Sequence, residues 1–331
     1  MKEGHIIGLG LESSCDETSA SIVMEGRNIL SNMINSQIEL HSDFSGVVPE
    51  IASRAHLENI NQLIDSALNE AQVAFRDLDY VAATNRPGLI GSLLIALQSA
   101  KAISFTLNIP LIAVNHLEAH LYAPFLEGRE PEFPFIGLLI SGGNTALYRV
   151  DAPAEMTLIG KTVDDAVGEA YDKVSKYLGL GYPGGPVIEK IARQAVNKKV
   201  FFPKILTDPE DRRFSYSGLK TAVINHIKAN PDDAVPEIVY SFQERALELL
   251  TRRLFKAART EGIKRMVIAG GVAANGRLRE ILNNEKKPDE KIIIPSPILC
   301  TDNGAMIAGM GYHYFKRGIF DPLSTDVTAK V

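Results

Sequence analysis

Cysteine is nearly absent from this chain: Cys15 and Cys300 are the only two among 331 residues. So distant a pair makes no disulfide framework, and the charged Met1-Lys2-Glu3 start carries no secretory pattern, so a reducing, cytoplasmic setting is expected. A surplus of positive charge is also missing. At a net charge of −5 the chain lacks the bulk attraction of a generic nucleic-acid binder, and any RNA contact must come from a local basic patch or a partner's surface. Long apolar runs are lacking as well. Stretches such as Ile-Gly-Leu-Leu-Ile at 136–140 are strand-length, far below the roughly 20 residues that span a bilayer, and no membrane association is expected. What remains, 45% hydrophobic and 23% charged, is an ordinary globular composition with material for about two domains.

The stretch Asn115-His116-Leu117-Glu118-Ala119-His120 follows the apolar run 109–114. If it opens a helix, His116 and His120 share one face and can grip one metal ion. Glu118 points away from that face. With Asn115 as N-cap, Glu118 stands at the third helical position, where a capping box would turn its side chain back to the cap's N–H. Two histidines make a weak site, and Asp302, opening the last helical pattern after the strand-like 292–294, is the candidate third ligand; His₂Asp would leave coordination positions open. A solvated histidine pair on a surface helix is the competing reading. A metallopeptidase wants Glu directly after the first His, and here it is one position late.

Two hairpins of one design suggest a duplicated architecture. In the first, residues 5–11 and 20–24 are strands around the loop Glu12-Ser13-Ser14-Cys15-Asp16-Glu17-Thr18-Ser19; in the second, residues 135–140 and 146–150 flank Ser141-Gly142-Gly143-Asn144-Thr145. Such loops offer backbone N–H groups to an anion, or are simply tight turns. Helices are expected over 49–73, 93–107 and 238–260, and a short strand over 80–83. Pro87-Gly88-Leu89-Ile90-Gly91-Ser92 opens the second of these helices, either as an anion site or for close helix–sheet packing. Residues 164–173 are expected to start a helix with a dense set of carboxylates, Asp164 and Asp165 in its first turn being dipole complements, and residues 179–185 are a loop of fixed shape. Residues 197–220 are basic, irregular and interleaved with aromatics, a texture suited to nucleic acid or to a solvated face over an aromatic cluster. Residues 266–282, strand then Gly270-Gly271 turn then helix, follow the grammar of a nucleotide crevice.

Taken in order, 12–17 (ESSCDE), 48–56 (VPEIASRAH), 87–92 (PGLIGS), 116–120 (HLEAH), 141–145 (SGGNT), 165–172 (DAVGEAYD), 182–186 (YPGGP), 214–221 (FSYSGLKT), 270–275 (GGVAAN) and 301–306 (TDNGAM) resemble the tRNA adenosine threonylcarbamoyltransferase family, the bacterial form once labelled glycoprotein endopeptidase. The resemblance covers nearly the whole chain. It implies an α/β fold of the actin, Hsp70 and sugar-kinase type, two duplicated lobes with a nucleotide cleft between them, divided as 1–114 plus 300–331 and 115–299. The implied reaction is acyl transfer: the threonylcarbamoyl group of threonylcarbamoyl-AMP passes to N6 of the adenosine just 3′ of the anticodon in tRNAs reading codons that begin with A.

Carried over by position, the resemblance implies His116, His120 and Asp302 as metal ligands, with Fe2+ the usual ion and Zn2+ an alternative. Substrate-holding positions fall on Leu139, Ile140, Ser141, Gly142, Gly143, Asp172, Gly185, Glu189 and Asn275. Asp172 and Glu189 are acceptors suited to ribose hydroxyls. No residue declares itself the general base; Asp16 and Glu17 are the candidate catalytic carboxylates, loop capping and partner contact being the plainer reading. Asn144 stands where bacterial members usually have His, and Glu189 where Asp is common. Implied partners are tRNA, a smaller paralogous subunit and a small ATPase, or a second copy of the chain in a homodimer. A non-catalytic nucleotide-binding scaffold and a metallopeptidase are the other functional readings.

Overall fold

The computed structural model describes residues 4–42, 44, 46–128, 132–208 and 210–330. The chain divides into two compact units, Met1–Glu130 with Thr301–Val331, and Pro131–Cys300. In the first, Ile7–Glu12 (β1), Glu17–Met24 (β2) and Asn28–Ser36 (β3) form an antiparallel meander. Helices Ile38–Ser42 (α1) and Pro49–Ala71 (α2) lead to Tyr80–Arg86 (β4), parallel to β1; helix Ile90–Leu107 (α3) leads to Leu111–Asn115 (β5), parallel to β4. Helix His116–Tyr122 (α4) follows at once.

The second unit repeats the plan. Phe135–Ile140 (β6), Thr145–Ala152 (β7) and Glu155–Lys161 (β8) are its meander. Helices Val167–Tyr177 (α5), Gly184–Ala192 (α6), Ser217–Ala229 (α7) and Val235–Thr260 (α8) come before Arg265–Ala269 (β9), parallel to β6. Helix Gly276–Glu285 (α9) precedes Lys291–Ile293 (β10), parallel to β9, and helix Pro297–Cys300 (α10) follows. The sheets run β3-β2-β1-β4-β5 and β10-β9-β6-β7-β8. Counted from each unit's first strand, both orders are 3-2-1-4-5, the duplication that the paired hairpins predicted. The central strands β1 and β6 are buried along their whole length, as an apolar run covered on both faces must be.

The last helix, Gly304–Lys316 (α11), packs on β1, β2 and β4 of the first unit. Two glycines let it approach: a Cβ on Gly10 would lie 2.1 Å from the Gly304 carbonyl oxygen, and one on Gly304 2.5 Å from that of Gly10. The Gly304 N–H donates to Ser19 Oγ at 2.8 Å, and the Asn303 side chain caps the helix by accepting from Met306 N at 3.0 Å. Residue 302 is thereby pinned against the first hairpin.

Several expectations are revised. The expected boundary at 114/115 falls instead at 130/131, and that at 299/300 at 300/301; residues 115–128 stay with the first unit because α4 packs against α11. Strands β3 and β8 went unread because neither alternates cleanly, and every residue of β8 is at least partly exposed. β2 begins at Glu17, three residues earlier than expected. Helix α6 starts at Gly184, inside the stretch read as loop, and α7 at Ser217, inside the stretch read as irregular. Helix α3, 18 residues long, is long and apolar enough by length and composition to cross a membrane, contrary to the expectation of strand-length runs alone. Its Ala96, Leu97 and Ala100 belong to the first unit's core.

Replacing Gly10 by Ala should therefore cost about 1–3 kcal/mol through forced displacement of α11, seen as a lowered thermal midpoint. Gly218→Ala, in open space on α7, is the control and should be neutral or mildly stabilising. Equal midpoints for the two variants would contradict the close-packing account.

Candidate metal centre and substrate loops

The first unit brings His116, His120 and Asp302 together. Asn115 ends β5 in extended conformation and caps α4, its Oδ1 accepting from Leu117 N at 2.8 Å. The helix thus starts at His116, and the two rings, four residues apart, meet edge to face with centroids 4.5 Å apart. His120 Nε2 lies 3.1 Å from His116 Nε2 and 3.0 Å from Asp302 Oδ1, and His116 Nε2 lies 3.5 Å from the same oxygen. Both histidines are buried. The capping box does not form: Asn115 accepts from Leu117 N rather than from Glu118 N, and Glu118 accepts from the Tyr314 hydroxyl of α11 at 2.6 Å, an assignment to helix packing that also removes it as a peptidase base.

Glu12, at the end of β1, is fully buried beside His116. Its Oε2 accepts from His116 Nδ1 at 3.0 Å and from Thr84 Oγ1 at 2.5 Å, while Oε1 accepts from Ser14 N at 2.6 Å. In the neutral ring, with the remaining proton held on Nδ1 by Glu12, the lone pair of Nε2 faces His120 and Asp302. Two imidazole nitrogens and a carboxylate oxygen within 4.8 Å of one another fit one divalent ion of the catalytic, open-coordinated type.

Burial opposes charge on His116, but the carboxylates of Asp302 and Glu12 outweigh it and raise the ring to about 9. Burial opposes ionisation of Asp302 too, yet the His116 charge and the His120 hydrogen bond hold it at about 2. His120 moves down, through burial and the charge on His116. Asp16, in the first loop, and Glu17, the first residue of β2, are half-buried. Burial, reinforced by the negative charges of Asp302 and Asp16, pushes Glu17 well above its ordinary carboxylate value. Pro87-Gly88 takes the packing reading, since a Cβ on Gly88 would lie 2.7 Å from the Ser14 carbonyl oxygen.

In the second unit the expected substrate positions gather at the carboxyl ends of β6 and β9. Leu139 and Ile140 end β6, and Ser141-Gly142-Gly143-Asn144 turns tightly, with Ser141 N donating to the Asn144 carbonyl at 2.8 Å and Asn144 N to Ser141 Oγ at 3.1 Å. Gly142 and Gly143 face open space, whereas a Cβ on Gly168 would touch the Ser141 carbonyl at 2.6 Å; the start of α5 abuts the loop. Asp172 of α5 accepts from Gly184 N at 2.7 Å, and Gly185 beside it is open. Glu189 Oε1 accepts from Gly276 N at 3.1 Å and from Arg193 Nη2 at 2.6 Å. Asn275 caps α9 through Leu278 N and donates to Gln243 Oε1. Gly270, at φ +89°, brings the turn after β9 against the Ile140 carbonyl. Contacts at Gly168, Gly184, Gly270 and Gly276 therefore link the segments that carry these positions, and both carboxylates expected to face ribose hold backbone N–H groups there.

The basic segment is mostly neutralised. Lys204 pairs with Glu248, Arg212 with Glu261, Arg213 with Asp211 and Lys220 with Asp165. Asp164 accepts from Ser215 Oγ and from the backbone N–H groups of Tyr216 and Ser217, so the acidic pair anchors this segment rather than complementing a helix dipole. Phe201 and Phe202 pack with His226 as an aromatic cluster.

The model of the tRNA N6-adenosine threonylcarbamoyltransferase family matches residues 28–309. The chain belongs to this family. Curated members include the Kosmotoga olearia protein, 49% identical with 96% of each chain covered, the Syntrophomonas wolfei protein, 47% identical with 96% and 94% covered, and the Treponema denticola protein, 49% identical with 98% and 96% covered. Among solved structures, full-length HypF in its phosphate- and nucleotide-bound form superposes with a TM-score of 0.64 at 14% identity, covering 96% of this chain and 47% of that one. The activator of the Clostridium difficile 2-hydroxyisocaproyl-CoA dehydratase superposes at 0.54 and 14%, covering 95% and 96%. At such identities the likeness is one of fold, and it gives the family member a two-unit fold of the actin, Hsp70 and sugar-kinase type.

His116 gains affinity for its proton on folding, so its contribution to metal-free stability is full below the ordinary 6.5 and is lost as pH rises through about 9. A divalent ion binding at pH 7 should then displace about one proton, read as a buffer-dependent heat in titration calorimetry that disappears above pH 9. A heat independent of buffer at pH 7 would contradict this charge assignment.

Proposed function

We propose that the protein is a tRNA-modifying acyltransferase that moves the threonylcarbamoyl group of threonylcarbamoyl-AMP onto N6 of the adenosine just 3′ of the anticodon in tRNAs reading codons that begin with A. The observation that carries this reading is family membership at 47–49% identity over nearly the whole chain, supported by an intact His116, His120 and Asp302 set. That set speaks against a non-catalytic scaffold, and the engagement of Glu118 by Tyr314 speaks against a peptidase.

His116 Nε2, His120 Nε2 and Asp302 Oδ1 would hold the ion, ferrous iron by family precedent and zinc as the alternative occupant. When bound, it would supply positive charge that polarises the transferred carbonyl and stabilises the departing phosphate. Gly142 and Gly143 leave room for donor oxygens to approach the main chain, and Gly185 and Asn275 flank the adenosine. Asp172 and Glu189 accept ribose hydroxyls while bracing the starts of α6 and α9. Asp16 and Glu17 orient the incoming amine. The setting is cytoplasmic, with a smaller paralogous subunit and a small ATPase as partners, or a second copy of the chain.

tRNA docks, in this reading, through Lys198 and Lys199, which are exposed and have no ion-pair partner among the described residues, in place of the neutralised Arg212 and Arg213. Reversing both lysines to Glu should weaken tRNA binding and lower its salt dependence while adenylate binding is spared; unchanged affinity would move the docking face elsewhere.

The deciding experiment mixes the pure protein with threonylcarbamoyl-AMP and unmodified tRNA, with and without the partner subunits. Transfer is expected, and should be lost in His116→Ala. No transfer under either condition would overturn the reading in favour of a scaffold.

A further inference from the structure

Glu12 sits below the ligand set without belonging to it. Leu11 of β1 pairs with Ala83 of β4, which sets the next residues, Glu12 and Thr84, side by side. Both carboxylate oxygens are committed to donors: Oε1 to Ser14 N, Oε2 to Thr84 Oγ1 and His116 Nδ1. Three of the roughly four acceptor sites of the carboxylate are thus taken by protein donors that fix its orientation. The His116 Nδ1 proton is shared with Ser14 Oγ at 3.2 Å, so two residues, Glu12 at the end of β1 and Ser14 in the loop after it, converge on a single ring nitrogen, and Thr84 of the neighbouring strand holds the first of them. Burying an ion is costly unless a partner offsets it, and here His116 is that partner.

We propose that Glu12 is the positioning residue of the metal centre: held by Thr84 and the Ser14 amide, it keeps the His116 proton on Nδ1 and the ring aimed so that Nε2 is a lone-pair donor. Outer-shell carboxylates on ligating histidines fix tautomer and orientation and raise ligand basicity, and their removal lowers metal affinity about 10–100-fold. Glu12 also supplies a second negative charge beside Asp302. Two carboxylates balance one divalent ion, so the closed site is electrically neutral. The inference rests on the metal reading of His116, His120 and Asp302, and its test separates the two.

Metal-stripped wild-type protein, Glu12→Gln, Thr84→Val and His120→Ala are each titrated with Zn2+ against a chromophoric chelator, and the His116 ring nitrogens are followed by 15N NMR in the metal-free proteins above pH 9, where the ring carries a single proton. Glu12→Gln should bind Zn2+ about 10–100-fold more weakly and lose the single Nδ1–H tautomer. Thr84→Val, which removes only the hydroxyl that orients Glu12, should lose affinity by a smaller factor and shift the same nitrogen signals. Wild-type affinity and tautomer in both variants would overturn the role of Glu12. If Glu12→Gln does not fold, Thr84→Val decides alone, unchanged signals and affinity counting against the proposal. Zn2+ binding by His120→Ala equal to wild type would instead bring down the metal reading itself.

Discussion

The contact between Gly10 and Gly304 is the constraint on which the first unit's chemistry depends. Asp302 is separated by almost the whole chain from the strand it serves, and only the closeness of two backbones, possible where neither residue carries a Cβ, sets it beside His116 and His120. The capped start of α11, at Asn303, and the capped start of α4, at Asn115, then fix the directions from which carboxylate and imidazoles arrive. A metal centre so built is a property of packing as much as of ligand identity, which is why glycines carry as much of the site as the histidines do.

Electrostatics reinforces that geometry. Glu12, His116 and His120 are buried and Asp302 is half-buried, four ionisable groups within one small volume, an arrangement that would be unfavourable if any member stood alone. In the metal-free state one proton on His116 serves as the counterion of two carboxylates; a divalent ion would take over that task with a charge to match. The raised ring of His116 and the lowered carboxyl of Asp302 are two sides of a single coupling. In the second unit the balance is of another kind: Asp172, Glu189 and Asn275 stiffen the turns at the strand ends by holding backbone N–H groups, and the glycines between them keep those turns open.

Much of this was legible in the sequence, for local reasons. The four-residue spacing of His116 and His120, the N-cap Asn115, the two strand-loop-strand hairpins and the Gly270-Gly271 turn are short-range patterns, and the duplicated sheet order follows from them. What escaped reading depends on distant partners. Glu118 looked like the second half of a capping box until Tyr314, 196 residues on, took its carboxylate. The basic texture of residues 197–220 suits a docking patch only until its partners are seen, Glu261, far along the chain, holding Arg212 and the neighbouring Asp211 holding Arg213. Glu12 stood first in a recognised motif, yet its task appears only once the β1–β4 register sets it against Thr84. Strands β3 and β8 lie at sheet edges, where solvent on one side erases the alternation that marks a half-buried strand.

The most direct test of the central claim, that this metal-centred family member modifies tRNA, is mass spectrometry of tRNA nucleosides from cells depleted of the protein and resupplied with either the wild type or His120→Ala. The account predicts that threonylcarbamoyladenosine disappears on depletion, returns with the wild type and stays absent with His120→Ala. Full modification in the depleted cells, in the absence of a second enzyme, or full rescue by His120→Ala, would contradict it.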